Sequence, residues 1–150
     1  MKKLFVPLLI VCFALCGCTN KQGNTSSSFD GPYYKEVEDL HIGWDDLFNQ
    51  KENQYYAYVY SVTCTPCSML REEVIEFARS GKVPFYFVNP NDDIPFVNDA
   101  ETADASLGAT SLENVYCLST PTLIGITDKT VTTYSRDYYQ IKGFIESYNE

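Results

Sequence analysis

The sequence predicts an α/β domain with a mixed central β-sheet flanked by helices. Three observations predict it. A β-branched and aromatic run at Tyr55–Tyr60 is followed by an amphipathic stretch and a second apolar run at Val83–Val88, which is a strand–helix–strand order. Two further strand-like runs are separated only by Asp128-Lys129, which reads as a hairpin. Ile141, Phe144, Ile145 and Tyr148 then give a closing helical stripe. A crossover makes a parallel pair and a hairpin an antiparallel one, so the sheet is mixed, with helices expected on both faces.

The elements follow in order. Trp44, Leu47 and Phe48 at i, i+3, i+4 predict a short helix over about 44–50, with Trp44 packing it down. Tyr55-Tyr56-Ala57-Tyr58-Val59-Tyr60 holds no breaker and predicts a strand, its tyrosines expected to alternate between core and surface. A helix is predicted from about Pro66 to Ser80. Leu70, Val74 and Phe77 form its apolar stripe, and Arg71, Glu72, Glu73, Glu76 and Arg79 hold the other face. Pro66 suits the first turn and Gly81 the C-terminal stop. The Val83–Val88 strand tolerates Pro84 near its start. Residues 90–119 carry six acids, no Lys or Arg and weak periodicity, so loops with one or two short helices are expected there. That acidic stretch is read as solvated surface ahead of a partner-contacting one. Thr122–Thr127 and Thr130–Tyr134 are the hairpin strands, and the last helix spans about 138–148.

The composition narrows the function. A chain of 150 residues is one domain, and 45% hydrophobic residues with 15% aromatics fill a core. Eleven basic against 20 acidic residues give a net charge of −9, which disfavours nucleic acid as a partner. A single histidine, His41, argues against His-rich metal sites and Cys–His or Ser–His–Asp catalysis. It reads as a surface or domain-edge residue. Asp92, Asp93, Asp99, Glu101 and Asp104 lack the order of a calcium loop.

The N-terminal segment reads as an address. Lys2 and Lys3 precede an apolar run from Leu4 to Leu15, too short for a membrane span and followed by polar residues. Leu15-Cys16-Gly17-Cys18 resembles the lipobox of bacterial lipoproteins. The resemblance implies a signal peptide over 1–17, a lipidated Cys18 as the new N-terminus, and a location on the extracytoplasmic face of the cell membrane. Residues 18–32 then form a Ser/Asn-rich tether, and 33–150 the domain. Losing Lys2 and Lys3 leaves 9 basic residues against 20 acidic, a mature charge of −11. Cys64, Cys67 and Cys117 remain as thiols outside the cytoplasm, enough for one disulfide and one cysteine left over.

Cys64-Thr65-Pro66-Cys67 carries the chemistry. It lies between a predicted strand and a predicted helix. A helix N-terminus offers free N–H groups and positive potential, which stabilise a thiolate over a thiol. Cys64 is then the nucleophile of disulfide exchange, and Cys67, one turn on, the resolving thiol. The spacing alone also admits a zinc or copper site, with His41 and Cys117 as further ligands, and a purely structural disulfide.

These elements together with Ser119-Thr120-Pro121-Thr122-Leu123 resemble the thioredoxin superfamily over about 42–149. The resemblance implies a cis bond at Pro121, facing the cysteine pair. It also implies that the Thr120 backbone binds an extended substrate segment. Three departures stand out. Thr63 precedes the first cysteine where tryptophan is usual. Tyr58 stands where thioredoxins carry a buried acid. No lysine lies on Val83–Asn89 to partner such an acid. Proton handling at Cys67 is left unassigned.

The sequence is thus read as a membrane-anchored extracytoplasmic thiol–disulfide oxidoreductase of exported proteins or peptides, working with an unidentified redox partner. No metal or organic cofactor is implied, and a monomer is the default. The alternative is a redox-inactive binding or accessory module with a static disulfide. Cys117 reads as a buried inert thiol, against a third redox cysteine.

Overall fold

The computed structural model describes residues 34–149. The signal segment 1–17, the lipidation site Cys18 and the tether 18–32 lie outside the described residues.

Five strands form one mixed sheet: β1 (His41–Ile42), β2 (Gln54–Val59), β3 (Phe85–Val88), β4 (Thr122–Thr127) and β5 (Thr130–Ser135), in spatial order β1-β3-β2-β4-β5. β1, β3 and β2 run parallel, β4 is antiparallel to β2, and β5 is antiparallel to β4. The helices are α1 (Thr65–Ser80), α2 (Ala100–Asp104) and α3 (Tyr138–Ser147).

α1 starts where the sequence predicts, because Cys64 is its N-cap and Pro66 sits in its first turn. It stops at Gly81, whose φ of 67° is the left-handed conformation that glycine adopts without a side-chain clash. Asp99 and Asp137 cap α2 and α3, accepting from the Thr102 and Gln140 N–H groups. In the β4–β5 hairpin, Asp128 and Lys129 both take positive φ (47° and 61°), as a two-residue turn matched to strand twist requires.

Four expectations are corrected. The helix over 44–50 is only a 3-10 turn, Trp44–Asp46. The Gln50 side chain donates back to the Asp46 carbonyl, which competes with helix propagation. The strand at Val83 begins later, at Phe85, since Pro84 has no N–H and offers only its carbonyl, to Tyr56 N–H. β1, two residues without periodic signal, was not expected; it is fixed by tertiary pairing with Phe87 and Val88. Finally, the tyrosines of β2 do not alternate between core and surface: Tyr55, Tyr56, Tyr58 and the following Tyr60 are all buried. β2 is the central strand, so both of its faces meet protein.

Two cores result. Tyr56, Tyr58 and Tyr60 join Cys67, Leu70, Val74 and Phe77 of α1 and Ile141 and Ile145 of α3. On the other face, Tyr55, Ala57 and Val59 join Trp44, Leu47, Ile94, Val115 and Cys117. α1 and α3 thus share one face, and the Trp44 turn with the 90–119 segment closes the other. That segment is part of the core as well as surface. Its acids are largely committed to structure: Asp92 accepts from Trp44 N–H, Asp99 caps α2, and Asp104 pairs with Arg136 at 2.9 Å.

Candidate functional site

The register of the central pair builds the site. Val59, the last residue of β2, opposes Thr122, the first of β4. The chain leaving β2 toward Cys64 therefore meets the chain entering β4 from Thr120-Pro121. Residues 61–64 close a turn in which Cys64 N–H donates to the Ser61 carbonyl, and α1 begins immediately after.

Cys64 and Cys67 form a disulfide, with Cα atoms 5.3 Å apart. The two ends differ in access: Cys64 is half-buried, whereas Cys67 is 1% exposed. The Cys67 backbone N–H points at the Cys64 sulfur at 3.1 Å. This is an N-cap bond with sulfur as acceptor, and it strengthens when that sulfur is an anion. On the other side the Thr120 carbonyl oxygen lies 3.3 Å from the same sulfur. The Thr120–Pro121 bond is cis, as the resemblance implied. The structure therefore brings together Cys64, Cys67, Thr120 and Pro121.

Tyr34 is a component that sequence reasoning missed. It is buried, and its hydroxyl donates to the Cys67 carbonyl at 3.3 Å. It precedes the first predicted element, so no local pattern marks it. Tyr34 also packs against Tyr60, with ring centroids 4.1 Å apart and the planes tilted by 47°. Burial pushes its hydroxyl up to about 12. Tyr58 lies deeper, at 0% exposure, and burial moves its hydroxyl far above the ordinary range, so it stays protonated.

The other flagged residues lie elsewhere. His41 sits on the edge strand β1, its Nε2 2.8 Å from the Tyr60 hydroxyl and its Nδ1 3.0 Å from the Val37 carbonyl. Burial holds its pKa below the usual value. Cys117 is a free, buried thiol in the core opposite Cys67, and burial pushes it up to about 12. It is therefore not a ligand beside the cysteine pair. Among the described residues no three His, Cys, Asp or Glu side chains converge on a metal-sized site, and no helix is long and apolar enough to cross a membrane.

The strand order, the cysteine pair at the β2–α1 junction and the cis-proline opposite it make this a thioredoxin-like fold. No family model and no curated protein matches the chain. Similar solved structures are thioredoxins. Mitochondrial thioredoxin 3 of Saccharomyces cerevisiae, in its oxidised form, is 11% identical over 72% of this chain and 93% of its own, with TM-score 0.48. Thioredoxin f2 of Chlamydomonas reinhardtii is 16% identical over 72% and 94%, with TM-score 0.46. A mutant thioredoxin of Halobacterium salinarum is 21% identical over 74% and 90%, with TM-score 0.44.

Proposed function

We propose that this protein is a thiol–disulfide oxidoreductase of exported proteins, held on the outer face of the cell membrane by a lipid on Cys18. The observation that carries the activity is the asymmetry of the cysteine pair. Cys64 is reachable and sits on a backbone N–H donor at a helix N-terminus, while Cys67 is buried behind it. Attack from outside is thereby directed to one sulfur, and the other is kept for the intramolecular step.

In the reducing direction the Cys64 thiolate attacks a substrate disulfide. A new S–S bond joins Cys64 to the substrate, and the substrate's second sulfur leaves as a thiolate, taking a proton from solvent. The Cys67 thiolate then attacks the Cys64 sulfur. The mixed disulfide breaks, the substrate leaves with both sulfurs reduced, and the pair is oxidised by two electrons. The oxidising direction is the reverse. The Thr120 backbone, facing the Cys64 sulfur, is placed to pair with an extended substrate segment. The membrane location rests on the Leu15-Cys16-Gly17-Cys18 pattern and the polar stretch after it.

Cys64→Ser should abolish disulfide exchange with a model protein substrate, a loss of at least about a hundredfold. Full activity in that variant would remove the mechanism. Cys18→Ala should release the chain from the membrane fraction, and continued retention would contradict the anchor.

A further inference from the structure

The resolving cysteine is buried, so opening the disulfide places a sulfur anion or thiol where water does not reach. Such a group needs a hydrogen-bond donor in the core. Among the described residues, the buried side chains on the face of β2 that packs against α1 supply hydroxyls and no carboxylate or ammonium: the core around Cys67 consists of Tyr34, Tyr56, Tyr58, Tyr60 and apolar side chains. Of these, Tyr34 is bound to the Cys67 carbonyl, Tyr56 to Tyr148, and Tyr60 to His41. Tyr58 is the exception. Its hydroxyl is fully buried and faces that of Tyr34, yet among the described residues nothing lies within normal hydrogen-bond length of it in the disulfide state. A buried hydroxyl without a partner is destabilising, and native cores rarely keep one without a use. Phenylalanine would fill the same space.

We propose that Tyr58 is a positioning residue for the redox step, its hydroxyl being the donor that the Cys67 sulfur takes up when the disulfide opens. The inference rests on the oxidoreductase reading above. When a small thiol such as glutathione reduces the pair, its thiolate attacks the Cys64 sulfur and the Cys64–Cys67 bond breaks. The bonding electron pair leaves on the Cys67 sulfur. Tyr58 O–H donates a hydrogen bond to that sulfur without giving up its proton, and a proton from solvent neutralises the sulfur later. A second glutathione thiolate then attacks the mixed disulfide, oxidised glutathione departs, and Cys64 is left as the thiolate. Tyr34, fixed on the Cys67 carbonyl, holds the first turn of α1 against Tyr58. The Tyr58 hydroxyl thus makes no hydrogen bond of normal length in the oxidised protein and gains one in the reduced protein, so it favours reduction.

The test compares the full chain with its Tyr58→Phe variant, equilibrated across a glutathione series and quenched by thiol trapping. The variant should shift the equilibrium about tenfold toward the disulfide, a potential about 30 mV more negative. In urea, oxidised Y58F should be as stable as the parent or more so, and reduced Y58F less stable. A merely space-filling tyrosine would change both redox states alike. A parent that exchanges with glutathione, with Y58F within twofold of it, overturns the role of Tyr58 and leaves the oxidoreductase reading standing. A parent inert to glutathione overturns that reading and this role with it.

Discussion

The Cys64 sulfur lies 3.3 Å from the carbonyl oxygen of Thr120, 56 residues away in the chain. The antiparallel register of β2 and β4 produces this contact, because it sets Val59 against Thr122 and so aligns the two segments that run on from them. One side of the reachable sulfur thus faces a backbone acceptor, and the other faces the Cys67 N–H. The donor stabilises a Cys64 thiolate, and the carbonyl discourages it from turning away from the helix terminus.

The division of labour within the pair predicts a trapped intermediate. Cys67→Ser should still attack substrate disulfides through Cys64 but should not release them. Incubation with an oxidised protein substrate should accumulate a Cys64-linked mixed disulfide, visible as a mass adduct that dithiothreitol removes. Free turnover in this variant would show that Cys67 is not the resolving thiol.

The sheet at Gly125 has no room for a side chain. A Cβ there would stand 2.7 Å from Thr133 Cβ and 2.7 Å from the Tyr56 ring. Tyr56 is held on its far side by Phe144 and by a hydroxyl contact to Tyr148. Gly125→Ala should therefore destabilise the domain by about 1–3 kcal/mol, through overpacking and a displaced ring. Urea unfolding measures this, and an unchanged midpoint would contradict the packing.

His41 predicts an acid-side loss of stability. Burial outweighs the opposing pull of Glu38, Asp39 and the nearby carbonyls, so its folded pKa lies below the ordinary 6.5. The unfolded chain then binds the proton first. The contribution of neutral His41 is present above pH 6.5 and fades as the pH falls through the folded value. Between about pH 7 and 5 the parent should lose more stability than His41→Gln. Parallel pH profiles for the two proteins would refute this.

Cys117 should be chemically silent in the folded protein. Its burial and raised pKa leave little thiolate at neutral pH. In the reduced native protein at pH 8, iodoacetamide should label Cys64 well before Cys117, and urea should abolish the difference. Mass spectrometry of unreduced protein should find Cys117 free. Rapid native labelling, or a disulfide at Cys117, would contradict the closed environment.

Local patterns carried much of this structure, and tertiary effects carried the rest. The strands and α1 were legible because each has a periodic signal and a chemical stop: Pro66 in the first turn, Gly81 in the left-handed cap, Asp128-Lys129 between two apolar runs. The cysteine pair was legible from its spacing and its place before a helix. β1 was not, because two residues carry no period and gain strand character only by pairing with β3. The burial of every tyrosine from Tyr55 to Tyr60 was not, because a central strand covered on both faces erases the inside–outside alternation. Nor was Tyr34, whose position is set by a hydroxyl contact to a residue 33 places later.

The central claim is that Cys64 and Cys67 exchange reversibly rather than staple the fold. The most direct test is the reduction potential of the pair, by thiol trapping across a glutathione series. The account predicts reversible equilibration at a potential between roughly −270 and −120 mV, the span of redox-active pairs. A pair that glutathione neither reduces nor reforms, with a potential below about −300 mV, would make the bond a structural disulfide and contradict the account.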